Sequence, residues 1–493
     1  MKRNKFSLSH NVMQTMNMGL LNPIGVVEVN PGDTFQHAVQ SLLRLAPLNT
    51  PVMHPTHAQI YHFFVPYRLI WDEFEDFITR GPDGDSAPVF PTIEFDAVAA
   101  GSLANLLGLP VFSTEAENVG VSALPFRAYA LIYNEYFRDQ DLIDPIGLDV
   151  TSGADTTTNT TLRTAAWQKD YFTSARPWTQ KGPEVTIPLT DDAVDVTRKN
   201  NAGVHQIFQS GTNTTVATVT GANFQVAGSS LNNGGTNLTI NPNGAWEVDL
   251  SQVAGVDVND LRAALALQRF EEARARWGSR YVEYLRYLGV KSSDARLQRP
   301  EYLGGGSNTI QYSEVLQTSP ESGEGVGNLY GHGIGAVSSN RYRRFFEEHG
   351  MVLSFMIVRP VAIYANGLFR MWNRRTFLDF WQPEMEHIGQ QQVLNKEVYV
   401  GAASPDGVFG YQDKYDDFRR LPSRIAGEFA TTLDEWTQAR IFSSEPALNA
   451  DFVNCVPDPR IFQSTDTDQL YCMIRHSIQA RRLLAKTGSS FIF

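Results

Sequence analysis

Three histidines, His54, His57 and His62, form the only histidine cluster in the sequence, spaced H-x2-H-x4-H. A zinc site needs about four ligands converging on one point. In an extended segment, alternate side chains leave opposite faces, so these three do not share a face. The spacing therefore predicts buried or interfacial histidines rather than a metal centre. Gly331–Ala336, GHGIGA, has the glycines of a dinucleotide fingerprint, but a Gly/Ser-rich stretch precedes it and VSSNRYRR follows it. Without a buried strand before and a helix after, no helix N-terminus meets a pyrophosphate, and the segment is expected to be a loop. Asp83-Gly84-Asp85 and Asp466-x-Asp468 could offer oxygen ligands to a divalent cation at a subunit contact, yet neither has a full loop signature. They read as solvated turns. Cys455 and Cys472 have no metal-type spacing and read as buried thiols. No GxSxG, HExxH or GK[ST] motif occurs. The sequence holds no catalytic constellation and calls for no cofactor.

Basic residues carry more of the signal. Arg341–Arg375 holds seven arginines against two glutamates, interleaved with Phe345, Phe346, Tyr364, Phe369 and Trp372. Lys2, Arg3 and Lys5 open the chain, and Ile474–Lys486 adds Arg475, Arg481, Arg482 and Lys486 with no acid. Arginine beside aromatics suits either subunit contacts or single-stranded nucleic acid, held by phosphate pairing and base stacking. Lys2, Arg3, Lys5, Arg481, Arg482 and Lys486 are the candidates for DNA contact. The segment Ser292–Ser307, SSDARLQRPEYLGGGS, reads as a contact loop. Its three glycines suit a close backbone approach or positive φ, and its Arg and Tyr suit a desolvated interface. Arg296, Arg299, Tyr302, Gly304, Gly305 and Gly306 are candidate interface residues there, with Arg370, Trp372, Arg374 and Arg375 in the segment RMWNRR.

The elements that must position these residues are mainly strands. His57–Val65 is a continuous aromatic and aliphatic run of strand length. Met351–Tyr364 reads as one or two buried strands interrupted near Arg359-Pro360. Leu470–Ala480 alternates, with Leu470, Cys472, Ile474, Ile478 and Ala480 on one face. Strands near both ends of a 493-residue chain imply the non-local pairing of a sandwich or jelly roll, and βα alternation is absent. The best helix is Leu261–Leu288, capped by Asn259 or Asp260 and broken or kinked at Gly278-Ser279. A second helix is expected over Ala123–Phe137. Asn200–Trp246 contains no Asp, Glu, Lys or Arg, and about half of it is Gly, Asn or Thr. It reads as an inserted surface excursion, with a hairpin turn near Gly221.

With 53 acidic against 41 basic residues, the net charge of −12 argues that this chain alone does not neutralise nucleic acid. No apolar run reaches the roughly 18 residues of a membrane span. The basic N-terminus lacks the apolar core of a signal peptide, so synthesis and folding in a cytoplasm are expected. Exposed aromatics and an Asn/Gly/Thr-rich hairpin would also suit a carbohydrate-binding or carbohydrate-active β-protein, the competing class.

NPGDTF (Asn30–Phe35), HFFVPYRLIWDEFEDF (His62–Phe77), LPFRAYALIYNEYFRDQDL (Leu124–Leu142), DYFTSARPWTQKGP (Asp170–Pro183) and FGYQDKYDDFRRLPSRIAGEF (Phe409–Phe429) come in one order. In these blocks the chain resembles the major capsid proteins of the Microviridae, small single-stranded DNA phages, especially the gokushovirus-type branch. The N-terminal stretch and the tail Asp458–Phe493 depart from that pattern. The resemblance implies one capsid domain over residues 1–493, an eight-stranded viral jelly roll (a β-sandwich) with long helical and loop insertions. Residues 200–246 would then be a three-fold spike and 258–288 a helical insertion. It further implies sixty copies in a T=1 icosahedral shell around circular single-stranded DNA. The implied partners are a small basic DNA-binding phage protein, scaffolding and pilot or minor proteins, and a host surface receptor. Thr214, Val219, Gly221, Asn223, Phe224, Asn232 and Asn233 are the candidates for host attachment. Location in the virion, after assembly in the host bacterial cytoplasm, completes the expectation.

Overall fold

Alternation of apolar and polar residues decides most of the architecture. In a computed structural model, which describes residues 3–113, 118–183, 185, 196–198, 205–209, 215–219, 238–240, 246–248, 258–278, 280–290, 293–294, 298–320 and 325–486, ten strands form one curled antiparallel sheet. They are β1 (Asn4–Ser7), β2 (His10–Met16), β3 (Asn22–Val29), β4 (Thr34–Leu45), β5 (Thr56–Pro66), β6 (Glu301–Leu316), β7 (Leu329–Ser338), β8 (Tyr342–Phe345), β9 (Gly350–Pro360) and β10 (Leu470–Arg482). The order is β1-β10-β4-β7-β6-β5-β9-β3, with β2 also on β10 and β8 also on β4. The long strand β6 turns the sheet on itself. Its first part pairs with β5, and Gln311–Leu316 pairs with β7. The curled sheet fits a jelly-roll β-sandwich, and the fold is mainly β as expected.

Between the two layers, Val39 and Leu43 of β4 and Cys472 and Ile474 of β10 meet Ala58 and Ile60 of β5 and Met356 and Val358 of β9. Strands β5 and β9 are apolar on their other face too. Phe63, Val65, Met351, Leu353, Phe355 and Ile357 pack beneath α1 (Leu124–Ile132), which contributes Phe126, Tyr129 and Ile132. A strand covered on both faces reads as a continuous apolar run, because neither face meets water. Helix α1 continues into a π-type turn over Tyr133–Phe137, matching the helix expected there. Arg127 is fully buried on it and pairs with Asp155 at 2.7 Å. Cys455 and Cys472 are free and buried, and burial pushes both thiols up to about 12.

Two glycine segments read as loops are strands. GGG lies inside β6 and GHGIGA inside β7. A Cβ on Gly305 would sit 2.1 Å from the Ile60 carbonyl oxygen, and one on Gly306 would sit 2.0 Å from that of Ser338. Glycine here has no side chain because neighbouring backbone occupies the place. That also removes the alternation by which a strand is recognised. Gly304, at φ 132, sits at the bulge beside Tyr302. The close-approach reading of these glycines holds; the loop assignment does not.

Residues 180–273 form a compact unit of their own, distinct from that of 1–179 and 274–493. In it, His205–Gln209 pairs with both Thr215–Val219 and Leu238–Ile240, and Val196–Arg198 pairs with Trp246–Val248. Thr215–Val219 therefore pairs backwards along the chain; the turn expected at Gly221 lies outside the described residues. The long helix is two, α2 (Val258–Trp277) and α3 (Tyr281–Tyr287), parted at Gly278 with φ 96. Asn259 and Asp260 fall inside the first turn of α2 rather than capping it. No helix among the described residues is long and apolar enough to cross a membrane.

The glycine contacts predict a contrast. Gly306→Ala should destabilise the subunit by about 3 kcal/mol, the upper range for overpacking. Gly120→Ala, where a Cβ meets nothing within 4 Å, should stay within about 0.5 kcal/mol of the parent. Denaturant titration of the two variants checks both.

Candidate assembly and genome-contact surfaces

The basic residues from the two ends of the chain, far apart in sequence, lie side by side. Lys5 on β1 is directly opposite Arg481 on β10, and Asn4 is opposite Arg482. The register continues across the outer face. Asn11, Arg475 and Gln40 form one row, and Thr15, Tyr471 and Arg44 another. Lys5, Arg44, Arg475 and Arg481 are all exposed on it, with Tyr471, Met13 and Met473 between them. β1, β2, β4, β7, β8 and β10 contain no Asp or Glu at all. In a chain of net charge −12, these six strands thus carry cations and no acid, although Glu314 on the part of β6 paired with β7 and Asp468 beside Thr15 lie at the margins of the layer. A shallow groove of about 660 Å³ runs over this face between Asn11, Gln40, Met473 and Arg475.

Not every expected cation faces outward. Arg482 is engaged by Asp33 at 3.1 Å and donates to the Glu28 carbonyl. Arg3 donates to the Gly32 carbonyl and Thr34 and lies over the Phe345 ring. Lys486 is exposed, and Lys2 lies outside the described residues. Arg44 escaped the sequence reading because only the β4–β10 register brings it to this face.

In RMWNRR, Arg370 and Arg374 turn inward while Met371 and Trp372 are exposed. Arg370 pairs at 2.9 Å with Glu397, which is buried and also takes the Tyr171 hydroxyl at 3.1 Å. Burial pushes the Glu397 carboxyl above its ordinary range, with Arg370 opposing. Arg374 pairs with Asp417 at 2.5 Å and lies 3.9 Å above the Phe418 ring. Arg375 is exposed, and its backbone amide, with that of Thr376, donates to Asp379. These bonds fix short turns from which Trp372, Phe377 (72% exposed), Phe380 and Trp381 project into solvent. The result is a held aromatic shelf on the surface.

The other contact candidates divide similarly. Arg299 makes two bonds to Asp294 and stacks over Tyr136 at 4.7 Å. Tyr302, half-exposed, leans on Phe63, and both line an open cleft of about 950 Å³ with Tyr61, Trp167 and Arg359. Gly304, Gly305 and Gly306 lie within the sheet. Arg296 is outside the described residues, as are Thr214, Gly221, Asn223, Phe224, Asn232 and Asn233; Val219 ends a strand of the 180–273 unit.

His54, His57 and His62 go separate ways, to the Val361 carbonyl, Thr309 and Ser354. Among the described residues, no group of three or more His, Cys, Asp or Glu is placed to hold a metal ion. Asp468 is taken up by Thr15 and Asn17, and Asp83 and Asp85 are exposed.

Comparison with known proteins gives this geometry its context. The family model described as capsid protein (F protein) matches residues 1–492. The chain is 37% identical over 476 residues to capsid protein VP1 of Bdellovibrio phage phiMH2K, covering 92% of this chain and 87% of that one. It is 31% identical over 556 residues to capsid protein VP1 of Chlamydia phage 1, covering 96% and 92%. A third relative, capsid protein VP1 of Spiroplasma virus 4, is 31% identical over 489 residues, covering 92% and 87%. These matches lend the carbohydrate-active alternative no support. A mainly-β sandwich, matched along its whole length to shell proteins, makes this chain a member of the phage capsid (F protein) family: a structural protein of the microvirus virion and not an enzyme.

Proposed function

We propose that sixty copies close a T=1 icosahedral shell around circular single-stranded DNA, with the cation-bearing face of β4 and β10 turned toward the genome. The observation that carries the second half is the face bearing Lys5, Arg44, Arg475 and Arg481 with no acidic residue in its six strands. Phosphates repel a surface of net negative charge, so this layer is where a chain of charge −12 accepts them. Tyr471, Met13 and Met473 between the cations suit unpaired bases, which stack without sequence preference. A handful of outward cations per subunit cannot neutralise a packaged genome, so a small basic phage protein or polyamines supply the remainder.

The aromatic shelf around Trp372 and Phe377 supports a subunit contact. Large exposed aromatics held by internal ion pairs lose little freedom on docking, and such residues dominate interface energies. Closed symmetry then repeats a modest contact around the shell. Residues 200–246 are read as an outer spike, built at the three-fold axis and used on the host receptor. Assembly in the host cytoplasm, with scaffolding and pilot or minor proteins, completes the proposal.

Three outcomes test this. Trp372→Ser with Phe377→Ser should leave subunit stability within about 0.5 kcal/mol, as surface changes do, yet abolish particles in analytical ultracentrifugation. Arg44→Gln, Arg475→Gln and Arg481→Gln together should lower the DNA content of particles. They should also flatten the salt dependence of single-strand binding by about 0.7 in log–log slope per lost phosphate contact. Deleting residues 211–244 should preserve particles and abolish attachment to host cells; unchanged attachment would refute the spike reading.

A further inference from the structure

The interior of the sandwich is apolar at both ends and polar in the middle. His37 lies between Phe35 and Val39 on β4, His62 between Ile60 and Phe64 on β5, and His476 between Ile474 and Ile478 on β10, all three fully buried. Ser354 of β9 and Tyr342 of β8 complete the belt. His37 and His62 come from opposite layers, with ring centroids 4.8 Å apart.

The hydrogen bonds run in one direction. His476 Nε2 lies 2.9 Å from the Ile24 carbonyl, which only accepts, so Nε2 carries the proton and the neutral ring leaves Nδ1 as acceptor. His37 Nε2, 3.1 Å from that Nδ1, must donate, and His37 Nδ1 then accepts from the Tyr342 hydroxyl at 3.0 Å. The relay requires a neutral His476, because its Nδ1 has to accept from His37. A proton on His476 Nδ1 would face the His37 donor head-on. His62 Nδ1 meets Ser354 at 2.8 Å, and its Nε2 is buried with no partner, so a charge there would be unpaired.

We propose that His37, His62 and His476 form a proton-operated lock that holds the N-terminal strands β1 and β2 on the sheet and releases them in acid. β1 and β2 have β10 as their partner strand, and His10 on β2 is directly opposite His476. The exposed His10 ring stacks on His476 at 4.7 Å, with an interplanar angle of 4°. This stack is where the buried relay meets solvent. Beyond His10, the elements around the belt bring the Ile24 carbonyl and Gly25 from β3, Tyr342 from β8 and Ser354 from β9. The charges acting on the three rings come from one another and from His10. The pair Asp33–Arg482 lies further along the sheet, past Phe35. Gly25 is part of the fit, because a Cβ there would lie 2.5 Å from His476 Cε1.

Burial holds His37 down to about 2, His62 to about 3 and His476 to about 4, all from an ordinary 6.5. The closed state is therefore fully favoured above pH 6.5 and loses ground as pH falls toward 4. Two pH units below its free value, each histidine that opening exposes favours the open state by roughly 100-fold.

Hydrogen exchange of the full-length chain, corrected for intrinsic rates, tests the lock. Residues 4–16 should lose protection between pH 6.5 and 4 while residues 351–358 keep theirs. Tyr342→Phe removes the donor to His37 Nδ1, destabilising the neutral ring, and should move the release midpoint up by about half a pH unit or more. His62→Gln removes one titrating ring while keeping a polar group toward Ser354, and should move the midpoint down, which keeps the test decisive if Tyr342→Phe does not fold. Constant protection of 4–16 down to pH 4, simultaneous loss at 4–16 and 351–358, or midpoints unmoved in both variants would overturn the proposal.

Discussion

Burial on both faces of β5 and β9 is the constraint on which the rest of the structure depends. One face of this strand pair closes the sandwich and the other lies under α1. Each fully buried large apolar side chain contributes about 1.5–3 kcal/mol, so this pair is the chief hydrophobic investment of the fold. The consequences run outward. β6 must pass β5 closely enough that only glycine fits at 305, and the Ser338 carbonyl at the end of β7 imposes the same at 306. Among the polar groups admitted between the layers, His37 and His476 satisfy one another by direction of bonding rather than by charge. Assembly then falls to the outer surfaces, where exposure leaves residues free to recognise partners.

How much of this was legible in the sequence depends on how local the signal is. Leu470–Ala480 betrayed itself by period two, and the resemblance carried by the family-like blocks implied the sandwich. The break at Gly278 was equally plain, because glycine in a helical run is a local event. GGG and GHGIGA hid as loops because a strand packed against backbone sheds the side chains that mark it. The ends of RMWNRR read as sticky arginines, yet Arg370 and Arg374 are engaged by Glu397 and Asp417. Those partners lie tens of residues away, and nothing in the local pattern names them. His37, His62 and His476 could not have been grouped from spacing, since only strands meeting across the sandwich bring them together.

Charge tells the same story at a larger scale. The bulk value of −12 argues against nucleic acid, and the terminal clusters alone argue weakly for it. Once β10 is placed between β1 and β4, scattered cations become one field across six strands that hold no acid. A shell protein benefits from such segregation. One surface can take up phosphates while the remaining acidic balance keeps free subunits apart in solution.

Cryo-electron microscopy of particles assembled from this chain with its phage partner proteins tests the account most directly. It predicts closed T=1 shells in which the face carrying Arg44, Arg475 and Arg481 lines the interior against nucleic-acid density. Small open oligomers, or shells in which that face looks outward, would contradict it.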